Sequence, residues 1–135
     1  FGAKKMIFFG HRFIESESFY HICCIEAIEN TPPSCLLYAE FSENSLDVIE
    51  HMRRNQLPFA LSIQNITELL YASALGASYI IVEKNLAKTA QNIAQEYLMD
   101  AKILAFIFEE EDIEELALLG IDGVVFPNAI VKINS

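Results

Sequence analysis

The sequence predicts an α/β protein built from repeated strand–helix units around a mostly parallel sheet. Three observations support this prediction. Short apolar runs rich in β-branched residues alternate with amphipathic segments, Asn and Gly mark many of the boundaries between them, and residues 58–82 contain one complete unit. Alternation of this kind is typical of sheets whose faces are covered by helices.

Residues 58–82 contain a strand, a helix and a second strand. The first apolar run follows a proline and is typical of a strand buried on both faces. Asn65 is a predicted helix N-cap, and Glu68 completes a capping-box pattern. Gly76 lies where the helix must end, because glycine adopts positive φ readily. Two strands joined by one short crossover helix must be parallel.

The same alternation continues on both sides of this unit. Further strands are predicted at residues 6–9, 19–25, 35–41, 102–108 and 123–126. Further helices are predicted to begin near Ser42 or Asn44, at Asn85 and at Asp112, with a short helical turn at 26–30. The chain therefore offers about seven strands, and most of them are followed by a helix.

Two closures of the sheet are consistent with these elements. Residues 74–82 and 118–126 share a helix–Gly–strand pattern, which indicates either a doubled βα unit or a junction common to all such folds. A complete eight-unit barrel typically needs more than about 200 residues. The 135 residues therefore predict a reduced or partial TIM-like barrel, and a small doubly wound open sheet is the alternative.

Length and composition predict a single α/β domain over residues 1–135, in which residues 1–3 precede any methionine and are a candidate cloning remnant. No apolar run reaches the roughly 20 residues of a membrane span, so we expect a cytoplasmic protein without a membrane partner. The net charge of −10 argues against nucleic acid as a partner, because binding phosphates needs clustered Lys and Arg.

The three cysteines, Cys23, Cys24 and Cys35, lack the spacing of a zinc site. Neighbouring side chains of a strand point to opposite faces, so Cys23 and Cys24 are predicted to diverge. We interpret all three as buried, reduced thiols. A nucleophilic cysteine is the alternative, but no neighbouring residue supports it.

Candidate site residues lie at the ends of the predicted strands, because ligands of parallel α/β sheets gather at the carboxyl ends of the strands. A small anionic ligand that carries phosphate or carboxylate is expected to contact Arg12, Gln64, Lys84 and Asn128. No cofactor is expected. Under an alternative interpretation a divalent cation, Mg²⁺ or Ca²⁺, is held by Glu40, Glu83 and Glu109. Ordinary solvated loop residues would produce the same pattern.

Two short motifs resemble parts of the glycerophosphodiester phosphodiesterases, which are βα barrels. Ile7-Phe8-Phe9-Gly10-His11-Arg12 resembles their opening strand, which ends in a His-Arg pair at the phosphate, and residues 120–127 resemble a late strand. The resemblance implies that His11 is the catalytic acid or base and that Arg12 binds the phosphate. It implies a metal-assisted phosphodiester hydrolase.

The sequence departs from that family at the metal. Glu40 is followed by Phe41-Ser42 rather than by the family's x-Asp, Phe13 replaces the Gly after His-Arg, and the second catalytic His is missing. We therefore expect a module without catalysis that binds a small anionic molecule or another copy of itself, with the hydrolase as the alternative. A homo-oligomer is expected because an unclosed parallel sheet leaves an edge to cover.

Overall fold

The computed structural model describes residues 4–133 and confirms the predicted α/β fold; residues 1–3 lie outside this range. The described residues form eight strands: β1 (Ile7–Phe9), β2 (Phe19–His21), β3 (Leu36–Glu40), β4 (Phe59–Ser62), β5 (Tyr79–Glu83), β6 (Lys102–Phe106), β7 (Gly123–Val125) and β8 (Ile130–Lys132). They also form five α-helices: α1 (Ile25–Ile28), α2 (Leu46–Arg54), α3 (Ile66–Ala74), α4 (Lys84–Glu96) and α5 (Asp112–Leu118). None of these helices is both long and apolar enough to cross a membrane.

All eight strands belong to one parallel sheet, in the order β1-β7-β6-β5-β4-β3-β2-β8. Side chains from distant strands meet on one face of the sheet, which shows that the sheet is curled. The rings of Phe9 in β1 and Phe19 in β2 are 4.6 Å apart between centroids, and both contact Tyr79 of β5, at 5.4 and 5.7 Å. This is the predicted partial TIM-like barrel. The doubly wound open sheet is excluded, since its edge strands would lie far apart.

The core has two layers because strand side chains alternate between the two faces of the sheet. The inner layer fills the curl of the sheet and consists of Phe9, Phe19, Leu36, Tyr38, Ala60, Ile81, Leu104, Val125 and Ala129. The outer layer lies between the sheet and the helices. There α4 turns Ala87, Ala90 and Ala94 toward the sheet, and these small side chains let the helix lie close to β5 and β6.

Side-chain capping fixes the start of α3, and two other predicted boundaries are wrong. The Asn65 side chain accepts the Glu68 N–H at 2.9 Å, so α3 begins as predicted. The prediction that Asn85 caps α4 is wrong, because the chain passes directly from β5 into the helix and Glu83 occupies the N-cap position. The predicted strand 19–25 is also too long: β2 ends at His21, and α1 begins at Ile25.

The eighth strand was not predicted, and it explains why the chain needs Gly10. β7 pairs with β1 whereas β8 pairs with β2, so the 3₁₀ turn Pro127–Ala129 crosses the end of β1. Gly10 has a φ of +82°, and a Cβ there would lie 2.8 Å from the Asn128 Oδ1 and 2.9 Å from the Ala129 Cβ. Only glycine fits both the conformation and the space.

A polar network closes the amino-terminal edge of the sheet. Gln91 of α4 is buried, and its side chain both accepts the Asp122 N–H at 2.9 Å and donates to the Asp122 carboxylate at 3.2 Å. The same carboxylate accepts the Ile103 N–H at 2.9 Å and pairs with Lys4 at 2.9 Å. These contacts join α4, β6 and β7 to the chain before β1.

Candidate ligand-binding cleft

A cleft opens at the carboxyl ends of β2 to β5, where sequence reasoning placed the site. Two adjoining cavities of about 360 and 290 Å³ meet there and share three lining residues, Glu40, Ser62 and Gln64. We call the two together the mouth cleft. The smaller cavity lies over the inner layer of the core, and its floor includes Tyr38, Ile81 and Ile130.

Strand alternation explains why these polar groups converge. Tyr38 and Ala60 belong to the inner layer of the core, and residues two positions further along a strand point the same way. Glu40 and Ser62 are those residues, and they are also direct partners in the register of β3 and β4. The inner face therefore changes from apolar to polar as the strands end, which forms an apolar floor with a polar rim.

His21 lines the larger cavity of the mouth cleft, and its ring packs against that of Tyr38 in the floor of the smaller one, with centroids 4.8 Å apart. Burial lowers the pKa of His21, and Lys132 acts in the same direction while Glu40 opposes both. His21 is therefore neutral at pH 7 and offers one donor and one acceptor. Burial also raises the pKa of Tyr38, with Glu40 adding to the increase and a hydrogen bond with Ser62 opposing it, so its hydroxyl keeps its proton.

A larger, shallower cavity of about 1020 Å³ continues from Glu83 and Phe106 toward α5. Its lining includes Phe108, whose ring packs edge-on against Phe106 with centroids 5.1 Å apart. Lys84 also lines this cavity, but its ammonium group already contacts the carboxylates of Asp112 at 2.8 Å and Glu115 at 3.2 Å. These hydrogen bonds raise the pKa of Lys84.

The His-Arg pair lies apart from the mouth cleft and converges on Glu110. The Arg12 guanidinium donates to both Glu110 oxygens, at 2.7 and 3.2 Å, and the His11 Nε2 lies 3.4 Å from the same carboxylate. The His11 side chain is only 8% exposed, and its Nδ1 accepts the Phe13 N–H at 3.1 Å. The hydrogen bond from Arg12 lowers the pKa of Glu110.

The remaining predicted residues are not gathered in one place. Gln64 lines the mouth cleft, whereas Asn128 packs against Gly10 and is exposed. Glu40 and Glu83 both line the smaller cavity of the mouth cleft, whereas Glu109 lines only the separate cavity of about 1020 Å³. Within residues 4–133, no group of three or more His, Cys, Asp or Glu side chains is arranged to hold a metal ion. The metal-binding role of the three glutamates stays a prediction.

Sequence reasoning missed His21, Tyr38 and Ser62. The sequence did contain a signal for them, because each follows an inner-layer residue by two positions on its strand. That signal becomes readable only when the strand ends are known, and β2 was predicted four residues too long. Comparison of the chain with models of known protein families finds no match, and comparison with curated proteins finds none either.

Proposed function

We propose that this protein is a non-catalytic module that binds a small polar molecule in the mouth cleft. The observation that carries the proposal is the meeting of Glu40, Ser62 and Gln64 at one point where two cavities join. Ligand sites in parallel α/β proteins occupy this edge of the sheet. An apolar floor with a few convergent polar groups is also the usual composition of a small-molecule site.

The charges around the cleft favour a ligand that supplies hydrogen-bond donors, such as hydroxyl or ammonium groups. Glu40 and Glu83 contribute carboxylate acceptors to the smaller cavity. His21 lines the cavity of about 360 Å³, and because it is neutral it adds no positive charge there. The anionic ligand predicted from the sequence depended on Arg12 and Lys84. Both cations are already paired with carboxylates, so an anion would have to displace those partners.

A binding comparison tests this proposal. We expect ethanolamine and glycerol, which supply donors, to bind more tightly than inorganic phosphate in calorimetric or ligand-observed NMR titrations. Glu40→Gln should weaken ethanolamine binding by about tenfold, because a hydrogen bond to a charged group contributes about 1.5–3 kcal/mol when buried and less at an exposed rim. Glu96→Gln, at the exposed end of α4, is the matched control and should leave binding unchanged. Tighter binding of phosphate would contradict this proposal and favour the anionic ligand predicted from the sequence.

A metal-assisted phosphodiester hydrolase is the second candidate, and the adjacency of His11 and Arg12 after β1 is the observation that favours it. Both side chains are directed at Glu110, and neither lines the mouth cleft where Glu40 lies. We expect no hydrolysis of bis(p-nitrophenyl) phosphate in the presence of Mg²⁺, Ca²⁺ or Mn²⁺. Metal-dependent turnover that disappears in His11→Ala but persists in His51→Ala would instead support the hydrolase.

Self-association stays a prediction as well. β1 and β8 end the sheet, and each leaves one row of backbone groups outside the eight-strand ladder. A homo-oligomer would cover these edges. Multi-angle light scattering tests it directly: a mass that is a multiple of the chain's 15.2 kDa is expected, and a strict monomer across a hundredfold concentration range would contradict it.

A further inference from the structure

Cys23 and Cys24 do not have the arrangement predicted from the sequence. They were expected to point to opposite faces of a strand and to be buried, but their Sγ atoms lie 3.6 Å apart and Cys23 is exposed. The reason is that β2 ends two residues earlier, at His21, so the alternation of a strand no longer applies. The chain bends at Cys23 and enters α1, which begins directly after Cys24.

We propose that Cys23 and Cys24 form a vicinal dithiol that chelates thiophilic ions, meaning trivalent arsenic and soft divalent cations such as Cd²⁺. In a tetrahedral zinc site, two thiolate sulfurs at about 2.3 Å from the ion lie about 3.8 Å from one another, and the narrower bond angle of pyramidal trivalent arsenic brings two sulfurs closer than that. The observed separation of 3.6 Å is already close to that value. Chelation therefore needs little movement of either side chain. Thiolates are the ligands that soft ions select over carboxylates and water.

The surroundings hold the pair in place and leave it accessible. The preceding residue, Ile22, is buried, and its N–H donates to the Tyr38 carbonyl at 3.0 Å, which fixes the backbone where the bend begins. Cys24 is half-buried and packs against the outer core, whereas Cys23 lines the mouth cleft. An ion that enters the cleft therefore meets the Cys23 thiol first, and the Cys24 thiol lies close enough to bind the same ion.

Chelation by this pair does not depend on the ligand proposed for the mouth cleft, and its chemistry balances without an oxidant. With phenylarsine oxide as the probe, the arsenic–oxygen bond breaks and two arsenic–sulfur bonds form. The two thiol protons leave with the oxygen as one water molecule, and arsenic stays trivalent. A monothiol competitor must displace the two arsenic–sulfur bonds one at a time, and the first thiol can bind again while the second still holds the arsenic. A chelate therefore resists displacement much better than an adduct with a single arsenic–sulfur bond does.

Intact-protein mass spectrometry after treatment with one equivalent of phenylarsine oxide tests the proposal. We expect one adduct on the wild-type protein, which resists displacement by glutathione at least about 100-fold better than any adduct on Cys23→Ser or Cys24→Ser. Cys35→Ser is the matched control and should behave like the wild type. Circular dichroism verifies that each variant is folded, and if one of the two serine variants does not fold, the other provides the comparison.

Two results would overturn the proposal. One is a wild-type adduct that glutathione removes as readily as it removes the adduct of Cys24→Ser. The other is an adduct that requires Cys35. A titration with Cd²⁺ gives an independent readout, since the ultraviolet charge-transfer band of a cadmium dithiolate should saturate at one ion per chain and disappear in either Cys23→Ser or Cys24→Ser.

Discussion

Replacing Gly123 with alanine is expected to destabilise the protein by about 3 kcal/mol, which a urea unfolding curve will show as a lower midpoint. Gly123 begins β7 and is paired with Ile7 of β1. A Cβ at this position would lie 2.5 Å from the Ile7 carbonyl oxygen and 2.8 Å from the Leu104 Cδ2. The leucine can change its rotamer, but the carbonyl belongs to the backbone of the neighbouring strand. The two strands would therefore have to separate.

Gly76→Ala is the matched control for this substitution. Gly76 has a φ of +90°, yet a Cβ there meets nothing within 4 Å. Its replacement should cost only the backbone strain of a positive φ, about 1 kcal/mol. If Gly123→Ala proves no more destabilising than Gly76→Ala, then β1 does not lie against β7 as closely as described, and the curl of the sheet would have to be reconsidered.

Asp122→Ala is expected to lower the free energy of unfolding by about 3 kcal/mol at pH 7. The substitution removes the partner of the buried Gln91 amide, of the Ile103 N–H and of Lys4. Unpaired buried groups keep their full desolvation cost, which is larger than the net value of a hydrogen bond. Asp100→Asn, at an exposed carboxylate near the same edge of the sheet, is the control and should change stability little.

The same carboxylate predicts how stability depends on pH. Burial alone would raise the pKa of Asp122, but hydrogen bonds from Ile103, Lys4 and Gln91 outweigh it and hold the folded-state pKa below the ordinary value. The unfolded chain therefore takes up this proton at a higher pH than the folded protein does. The contribution of Asp122 is complete above about pH 4 and is lost as the pH falls through the lowered folded-state pKa.

Urea unfolding at a series of pH values measures this effect. The difference in stability between the wild type and Asp122→Ala should be constant from neutral pH down to about pH 5 and should shrink below about pH 4. The Asp100→Asn variant should follow the wild type throughout. A difference that is independent of pH would mean that the charge of Asp122 does not contribute to folding.

Much of the fold could be predicted because its signals are local. The cap formed by Asn65 and Glu68 fixes the start of α3, and the buried runs of β4 and β5 required parallel pairing. The strand β8 gave no such signal, since it has only three residues and two of them are exposed. Its position depends on the turn that crosses β1 at Gly10, and such a tertiary contact has no counterpart in a local pattern.

The set of polar residues that meets at the mouth cleft could be predicted only in part, for a related reason. The rule that ligands bind at the carboxyl ends of parallel strands selected the edge where the mouth cleft lies, and Glu40 and Gln64 line that cleft. The rule cannot say which charged residues already have a partner. Arg12 pairs with Glu110, which is 98 positions away in the chain, and no local sequence pattern predicts that pair.

NMR shift mapping can test whether the curled sheet gathers one ligand site at its carboxyl edge. Amide spectra of ¹⁵N-labelled protein would be recorded during a titration with ethanolamine. We predict that the largest shift changes fall on His21, Glu40, Ser62 and Gln64, and that Glu40→Gln reduces them. Changes concentrated instead around Gln91 and Asp122 at the opposite edge, or along the outer faces of the helices, would contradict the claim.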